Sequence, residues 1–240
     1  MCGRFSSTSS PAALAAAFRV EKVLVDDGLP ARFNVAPTDR VYAVTERIRD
    51  AAGPVRTLEV LRWGLVPSWA KDPSAGARMI NARADTIATK PAFRSAFATR
   101  RAVIPLDAFY EWQPRMVPGA KKAPRQPWAI RRRDGSPMAA AGLWEAWRDK
   151  SNPDGWLLSC TIVTTGPNEL IRPIHDRMPV LLADGAVDRW LDPTSDPEEL
   201  LALLVPSPVS DLEAWPVSTA VNRAGTEGPH LLARAEAMDV

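Results

Sequence analysis

Apolar and polar positions along the chain fall into short runs rather than long periodic segments. Val41–Thr45, Leu58–Trp63, Ala102–Pro105 and Phe109–Trp112 are strand-length stretches rich in β-branched or aromatic residues, and Trp128–Arg132, Met138–Trp144 and Leu157–Thr165 read the same way. Leu157–Val163 is almost continuously apolar, the pattern of a buried strand, and assigns its Cys160 to the core as a small hydrophobe. Ser9-Ser10-Pro11 ahead of Ala12–Phe18 supplies an N-cap and a first-turn proline for a short helix. Pro91–Thr99 reads as helical, with Phe93 and Phe97 on one face and Arg94 on another, and Asp184–Leu191 and Pro197–Leu204 read as amphipathic helices. Short strands broken by proline, with helices mainly at the periphery, predict an α+β fold: a single domain with a mostly antiparallel, barrel-like β core and peripheral helices. Strand–helix alternation and Gly-rich phosphate loops are absent, which excludes the doubly wound nucleotide folds. Gln113–Pro127 reads as a basic, proline-rich loop projecting from the sheet. The domain is expected over residues 1–221, with 222–240 a C-terminal tail, disordered unless His230-Leu231-Leu232 packs.

Composition narrows the class. Of 240 residues, 46% are hydrophobic and 24% charged, close to soluble globular averages. No apolar run reaches the ~18 residues of a membrane span, and no secretory signal pattern opens the chain. A soluble protein with no membrane association is expected, cytoplasmic and nucleoid-associated. Two cysteines (Cys2, Cys160) and two histidines (His175, His230) supply neither a disulfide framework nor zinc-site spacing, so no metal and no cofactor are expected. The net charge of +2 conceals an asymmetry: residues 78–133 hold 13 basic and three acidic residues, whereas 184–213 hold eight acids and one arginine. A basic middle suits a polyanion such as nucleic acid, or is simply a solvated surface.

Four places carry candidate chemistry. Met1-Cys2-Gly3-Arg4 is the first, because removal of Met1 would leave Cys2 with an α-amine and a thiol on adjacent carbons. Their ordinary pKa values of ~7.7–8.0 and ~8.5 leave both usable near neutral pH. The pair can trap an aldehyde as a Schiff base that closes to a thiazolidine, or the thiolate can attack an acyl group with the amine as base. Asn81–Thr86 is the second; it follows the Trp63–Ala70 loop, whose indoles are either exposed for base stacking beside arginine or buried in the core. Glu111 is the third. Alternation pairs it with Phe109 on one face of a strand, and without further information that face is read as solvent rather than as an apolar cleft. His175, flanked by Asp176 and Arg177, is the fourth, with a structural role as its alternative.

Read together, Met1–Phe5, Asn34–Thr38, Trp63–Ala70, Asn81–Thr86, Pro105–Trp112, Ala141–Glu145 and Thr164 with His175–Pro179 stand in the order of the SOS-response-associated peptidase (SRAP) family. The chain resembles that family from residue 2 to about residue 220. The resemblance implies an abasic-site shield, a monomer that binds single-stranded DNA containing abasic sites. Its Cys2 would crosslink to the DNA covalently after self-removal of Met1, with lyase activity and crosslink reversal as further capacities. It marks Cys2, Asn81, Glu111 and His175 as catalytic, and Arg4, Pro37, Trp69, Arg83, Lys90, Arg94 and Thr164 as DNA-binding. Spacing after Thr86 leaves Lys90 and Arg94 as alternative phosphate contacts. Two rival readings remain open: an N-terminal-nucleophile amidohydrolase using Cys2, and a non-covalent nucleic-acid-binding module.

Overall fold

The computed structural model describes residues 2–25, 27–50, 53–115, 125–152 and 155–236. In chain order the elements are β1 (Arg4–Ser7), α1 (Pro11–Ala17), β2 (Lys22–Val23), β3 (Arg32–Val35), β4 (Arg40–Asp50) and β5 (Gly53–Trp63). These are followed by β6 (Asn81–Arg83), α2 (Arg94–Thr99), β7 (Arg101–Leu106), β8 (Ala108–Pro114), β9 (Arg125–Arg132) and β10 (Met138–Arg148). The last are β11 (Trp156–Thr165), β12 (Met178–Pro179), β13 (Leu181–Leu182), α3 (Asp184–Leu191), α4 (Pro197–Ala202) and β14 (Leu212–Pro216). The fold is α+β and mostly antiparallel, as the spacing of apolar runs predicts.

Two sheets share the core. One has the antiparallel order β14-β9-β8-β1-β3. In the other, the path β11-β10-β7-β4-β5 returns on itself through a parallel β5–β11 pairing, Arg62 opposite Ser159 and Trp63 opposite Cys160, and so closes a barrel. Closure needs close backbone approach at Gly142, where a Cβ would lie 2.9 Å from Ile104 Cγ1 and 3.0 Å from the Thr161 carbonyl. One apolar cluster, containing Cys2, Phe5, Trp63, Phe109 and Cys160, lies between the sheets; a second, around Leu14, Phe97 and Trp190, lies under the helices. Cys160 is fully buried, as its apolar strand requires.

The helices are fastened to the barrel by an unusual residue. Arg101, 3% exposed at the start of β7, donates to the carbonyls of Phe97 and Ala98 at 2.8 and 2.7 Å, and to those of Trp190 and Asp192 at 2.7 and 2.6 Å. One guanidinium therefore satisfies terminal carbonyls of both α2 and α3, groups that a helix end leaves without partners.

Three expectations change. The basic loop over Gln113–Pro127 is shorter at both ends, because Gln113 and Pro114 continue β8 and Arg125–Pro127 begin β9; residues 116–124 lie outside the described residues. Pro91–Ala92 form turns, and the helix starts only at Arg94. Residues 222–236 are not a loose tail. The buried Asn34 side chain donates to the carbonyls of Val221, Arg223 and Thr226, Glu227 accepts from Arg32 and the Phe33 amide, and Leu231 is fully buried beside Tyr110 and Trp215. Asn34, a single polar position inside a strand, is what ties this segment down, and residues 237–240 lie outside the described residues.

Candidate active site

β1 lies between β3 and β8, with Arg4 opposite Tyr110 and Phe5 opposite Phe109, so the start of the chain runs alongside Glu111. Cys2 is fully buried, and its carbonyl accepts from Asn81 Nδ2 at 2.9 Å. Burial, reinforced by the charge of Glu111, pushes the thiol far above the usual cysteine range. β6 pairs in parallel with β11, Asn81 opposite Ile162 and Arg83 opposite Thr164, which sets Asn81 and Arg83 on one face and the buried Ala82 on the other. Asn81 Oδ1 is buried and has no hydrogen-bond partner among the described residues.

Glu111 is only 1% exposed, which corrects its reading as a solvent-face residue. Both faces of β8 are covered: Phe109 packs between the sheets, while Tyr110 packs against Trp215 and Leu231. Burial raises the Glu111 carboxyl to about 7. Its Oε2 lies 3.8 Å from His175 Nε2. His175 Nδ1 accepts the Arg177 amide proton at 3.0 Å, which assigns the neutral ring's proton to Nε2, facing Glu111. Burial lowers the His175 pKa. The Asp176 carboxylate, 2.9 Å from Nδ1, becomes an ion-pair partner only when the ring is protonated. Glu111 thus neighbours both the buried Cys2 thiol and the half-buried His175 imidazole, and each of the three has its charged form disfavoured by burial.

The expected DNA-contacting residues divide. Arg83 is exposed but forked onto Asp85, and Arg4 is already held by Asn34 Oδ1 at 2.8 Å and by the carbonyls of Val221 and Asn222 at 3.0 and 3.5 Å. Thr164 is buried, its Oγ1 accepting from Arg177 Nη2 at 2.8 Å. The motif around His175 contains Arg177, to which sequence reasoning gave no role. Lys90 and Arg94 are both exposed one helical turn apart, and Pro37 is half-buried in the turn after β3.

The two loop tryptophans differ. Trp63 is buried, donates to the Ile80 carbonyl at 2.9 Å and meets Phe5 edge-on, whereas Trp69 is 65% exposed. The loop bearing Trp69 is closed where Gly64 (φ +121°) and Gly76 touch backbone to backbone, and is pinned by Trp147 Nε1 donating to the Ala70 carbonyl at 2.8 Å. A Cβ on Gly76 would press on the Gly64 carbonyl and Val66 Cγ2. Gly76→Ala is therefore expected to cost about 1–3 kcal/mol by overpacking, read as a lower urea midpoint with an unchanged slope. No group of three or more His, Cys, Asp or Glu that could hold a metal occurs among the described residues, nor does a helix long and apolar enough to cross a membrane.

Residues 1–224 match the family model described as SOS response associated peptidase (SRAP). The chain belongs to the SRAP family. It is 41% identical over 234 residues to the abasic site processing protein YoqW of Bacillus subtilis, covering 97% of this chain and 99% of that one. It is 30% identical over 238 residues to the abasic site processing protein YedK of Escherichia coli, covering 97% and 99%. A crystal structure of a Bacteroides thetaiotaomicron protein superimposes with a TM-score of 0.80 at 25% identity, over 98% of this SRAP chain and all of that one.

Proposed function

We propose that this SRAP protein processes abasic sites in single-stranded DNA, acting as a monomer in the compartment that holds the DNA, by covalent capture through Cys2. SRAP relatives that match almost the whole chain are named for abasic-site processing, and an abasic sugar opens to an aldehyde. The observation that carries the chemistry is the Cys2 thiol, buried and held protonated beside Glu111, His175 and Asn81. A thiol so suppressed is a poor first nucleophile, which favours the α-amine for the opening attack over thiolate attack on an amide.

The sequence of steps balances without a redox partner. Self-processing hydrolyses the Met1–Cys2 peptide bond with one water, releasing methionine and freeing the Cys2 amine. The amine nitrogen adds to C1′ of the open sugar, and loss of one water gives the imine. The thiol sulfur then adds to the imine carbon and its proton passes to nitrogen, closing the thiazolidine. Glu111, with a pKa of about 7, gives and takes protons at the carbinolamine and imine steps. The Nε2 proton of His175 serves the sugar hydroxyl in ring opening and, in reverse, in crosslink release. Asn81 holds the Cys2 backbone, and its bare Oδ1 takes a sugar hydroxyl. Arg4, Arg83 and Thr164 meet phosphates, with Lys90 and Arg94 further along the strand, while Trp69 and Pro37 support bases. The imine also permits β-elimination on the 3′ side, a lyase reaction.

The test is to mix the protein with a single strand carrying one abasic site. A heat- and SDS-stable adduct is expected, with the mass of protein lacking Met1 plus DNA less one water. Glutamine hydrolysis without an adduct would establish the amidohydrolase instead, and reversible binding alone a non-covalent module. Glu111→Gln should slow adduct formation by about 100-fold, typical of a lost general acid–base, and remove an inflection near pH 7 from the rate profile. The same change should stabilise the fold at pH 8. A carboxyl raised from 4.5 to about 7 is ionised in the unfolded chain before the folded one, so its cost grows as pH rises through that window.

A further inference from the structure

Two arginines that the sequence assigns to phosphates, Arg4 and Arg83, are already engaged by protein groups, whereas Arg125 and Arg172 beside His175 are not. An open groove of about 550 Å³ begins at His175 and runs along the ends of β8 and β9, lined by Trp112, Arg125, Arg172, Pro173 and Asp176. Arg125 and Arg172 are exposed, and neither guanidinium has an ion pair or side-chain hydrogen bond among the described residues. A phosphate binding there displaces nothing, whereas at Arg83 it must compete with the fork to Asp85. The charge of Arg125 already reaches the site, adding to burial in lowering the His175 pKa. Trp112 is half-buried, its ring fixed by Nε1 donating to Asn222 Oδ1 at 2.6 Å, so a flat surface stands ready beside the two cations. Asp176 is the one carboxylate in the lining, and it lies 2.9 Å from His175 Nδ1.

We propose that this groove carries one flank of the single strand, with backbone phosphates on Arg125 and Arg172 and a base against Trp112. The inference rests on the abasic-site reading above and extends it. The strand would cross the site at His175, with one flank on the Arg83–Thr164 side and the other in the groove. Charge complementarity and direct continuity with the site favour a polyanion over an uncharged ligand. Stacking on an aromatic with phosphates on arginine is the general mode of single-strand binding.

The experiment uses strands with a tetrahydrofuran analogue, which has no aldehyde and binds without crosslinking, placed centrally or at either end. Anisotropy compares wild type with Arg125→Gln/Arg172→Gln; neither side chain has a partner to lose among the described residues, and a melting curve checks the fold. The double variant should bind the centrally substituted strand about tenfold more weakly. Its log–log salt dependence should be shallower by about 1.4, since each phosphate contact on a single strand contributes ~0.7. The loss should appear with only one of the two end-substituted strands, the one whose flank fills the groove. An unchanged affinity and slope, or equal loss with both end-substituted strands, would overturn the proposal. Adduct formation from a true abasic site is scored separately, so failure of the crosslinking chemistry is distinguishable from failure of the groove.

Discussion

Cys2→Ala is expected to abolish the heat- and SDS-stable adduct completely while sparing the imine that precedes it. Alanine at position 2 keeps the α-amine, and its carbonyl still accepts from Asn81, but no sulfur is left to close the ring. The imine then equilibrates with water, so a covalent product should appear only when borohydride is added to reduce it. The substitution leaves a small void in the apolar cluster around Phe5 and Phe109, costing ~1 kcal/mol, too little to unfold the protein. A stable adduct formed by the variant without reductant would rule out thiazolidine closure. Absence of a trapped imine would place the first attack on sulfur rather than nitrogen. The buried thiol favours nitrogen, because a group held protonated well above neutrality contributes little thiolate.

Arg101→Met should be the most destabilising single substitution among those considered, by about 4 kcal/mol, within the range for breaking a buried charge network. Methionine fills much the same volume but leaves four carbonyls at the ends of α2 and α3 without donors. For a chain of this size the loss should lower Tm by about 8–16 °C. Arg101→Lys should fall between the two, since an ammonium keeps the charge but cannot fork to carbonyls on two helices. A loss below ~1 kcal/mol for Arg101→Met would show that water replaces the guanidinium, contrary to its 3% exposure.

Strand positions were legible in the sequence wherever local patterning decides them. Val41–Thr45, Ala102–Pro105 and Leu157–Thr165 all lie within observed strands because β-branched runs bounded by turns have few alternatives. Closure of the barrel by the parallel β5–β11 contact was not legible, since it joins segments about a hundred residues apart and leaves no local mark. Glu111 misled for a related reason. Alternation separates the two faces of β8 but cannot say that tertiary packing covers both. Trp63 ends β5 and is buried, whereas Trp69, six residues on in the loop that Gly64 and Gly76 close, is exposed. The clustering of Cys2, Asn81, Glu111 and His175 was accessible only through the order of the motifs, because each residue alone has an ordinary structural use. The uncommitted arginines of the groove were invisible for the opposite reason, since lack of a partner is a property of the fold.

The position of β1 also sets when the chemistry becomes available. Arg4, two residues from Cys2, is held by the Asn34 side chain and by the carbonyl of Val221, more than 200 residues later in the chain. During synthesis the first strand emerges long before β8 and the segment that fastens it. Until both have left the ribosome, Cys2 has neither the strand that carries Glu111 nor the turn that carries His175. A nascent chain therefore exposes an ordinary cysteine at position 2. Contacts of such high sequence separation form late, so the proposed capture chemistry would be available only in the finished domain.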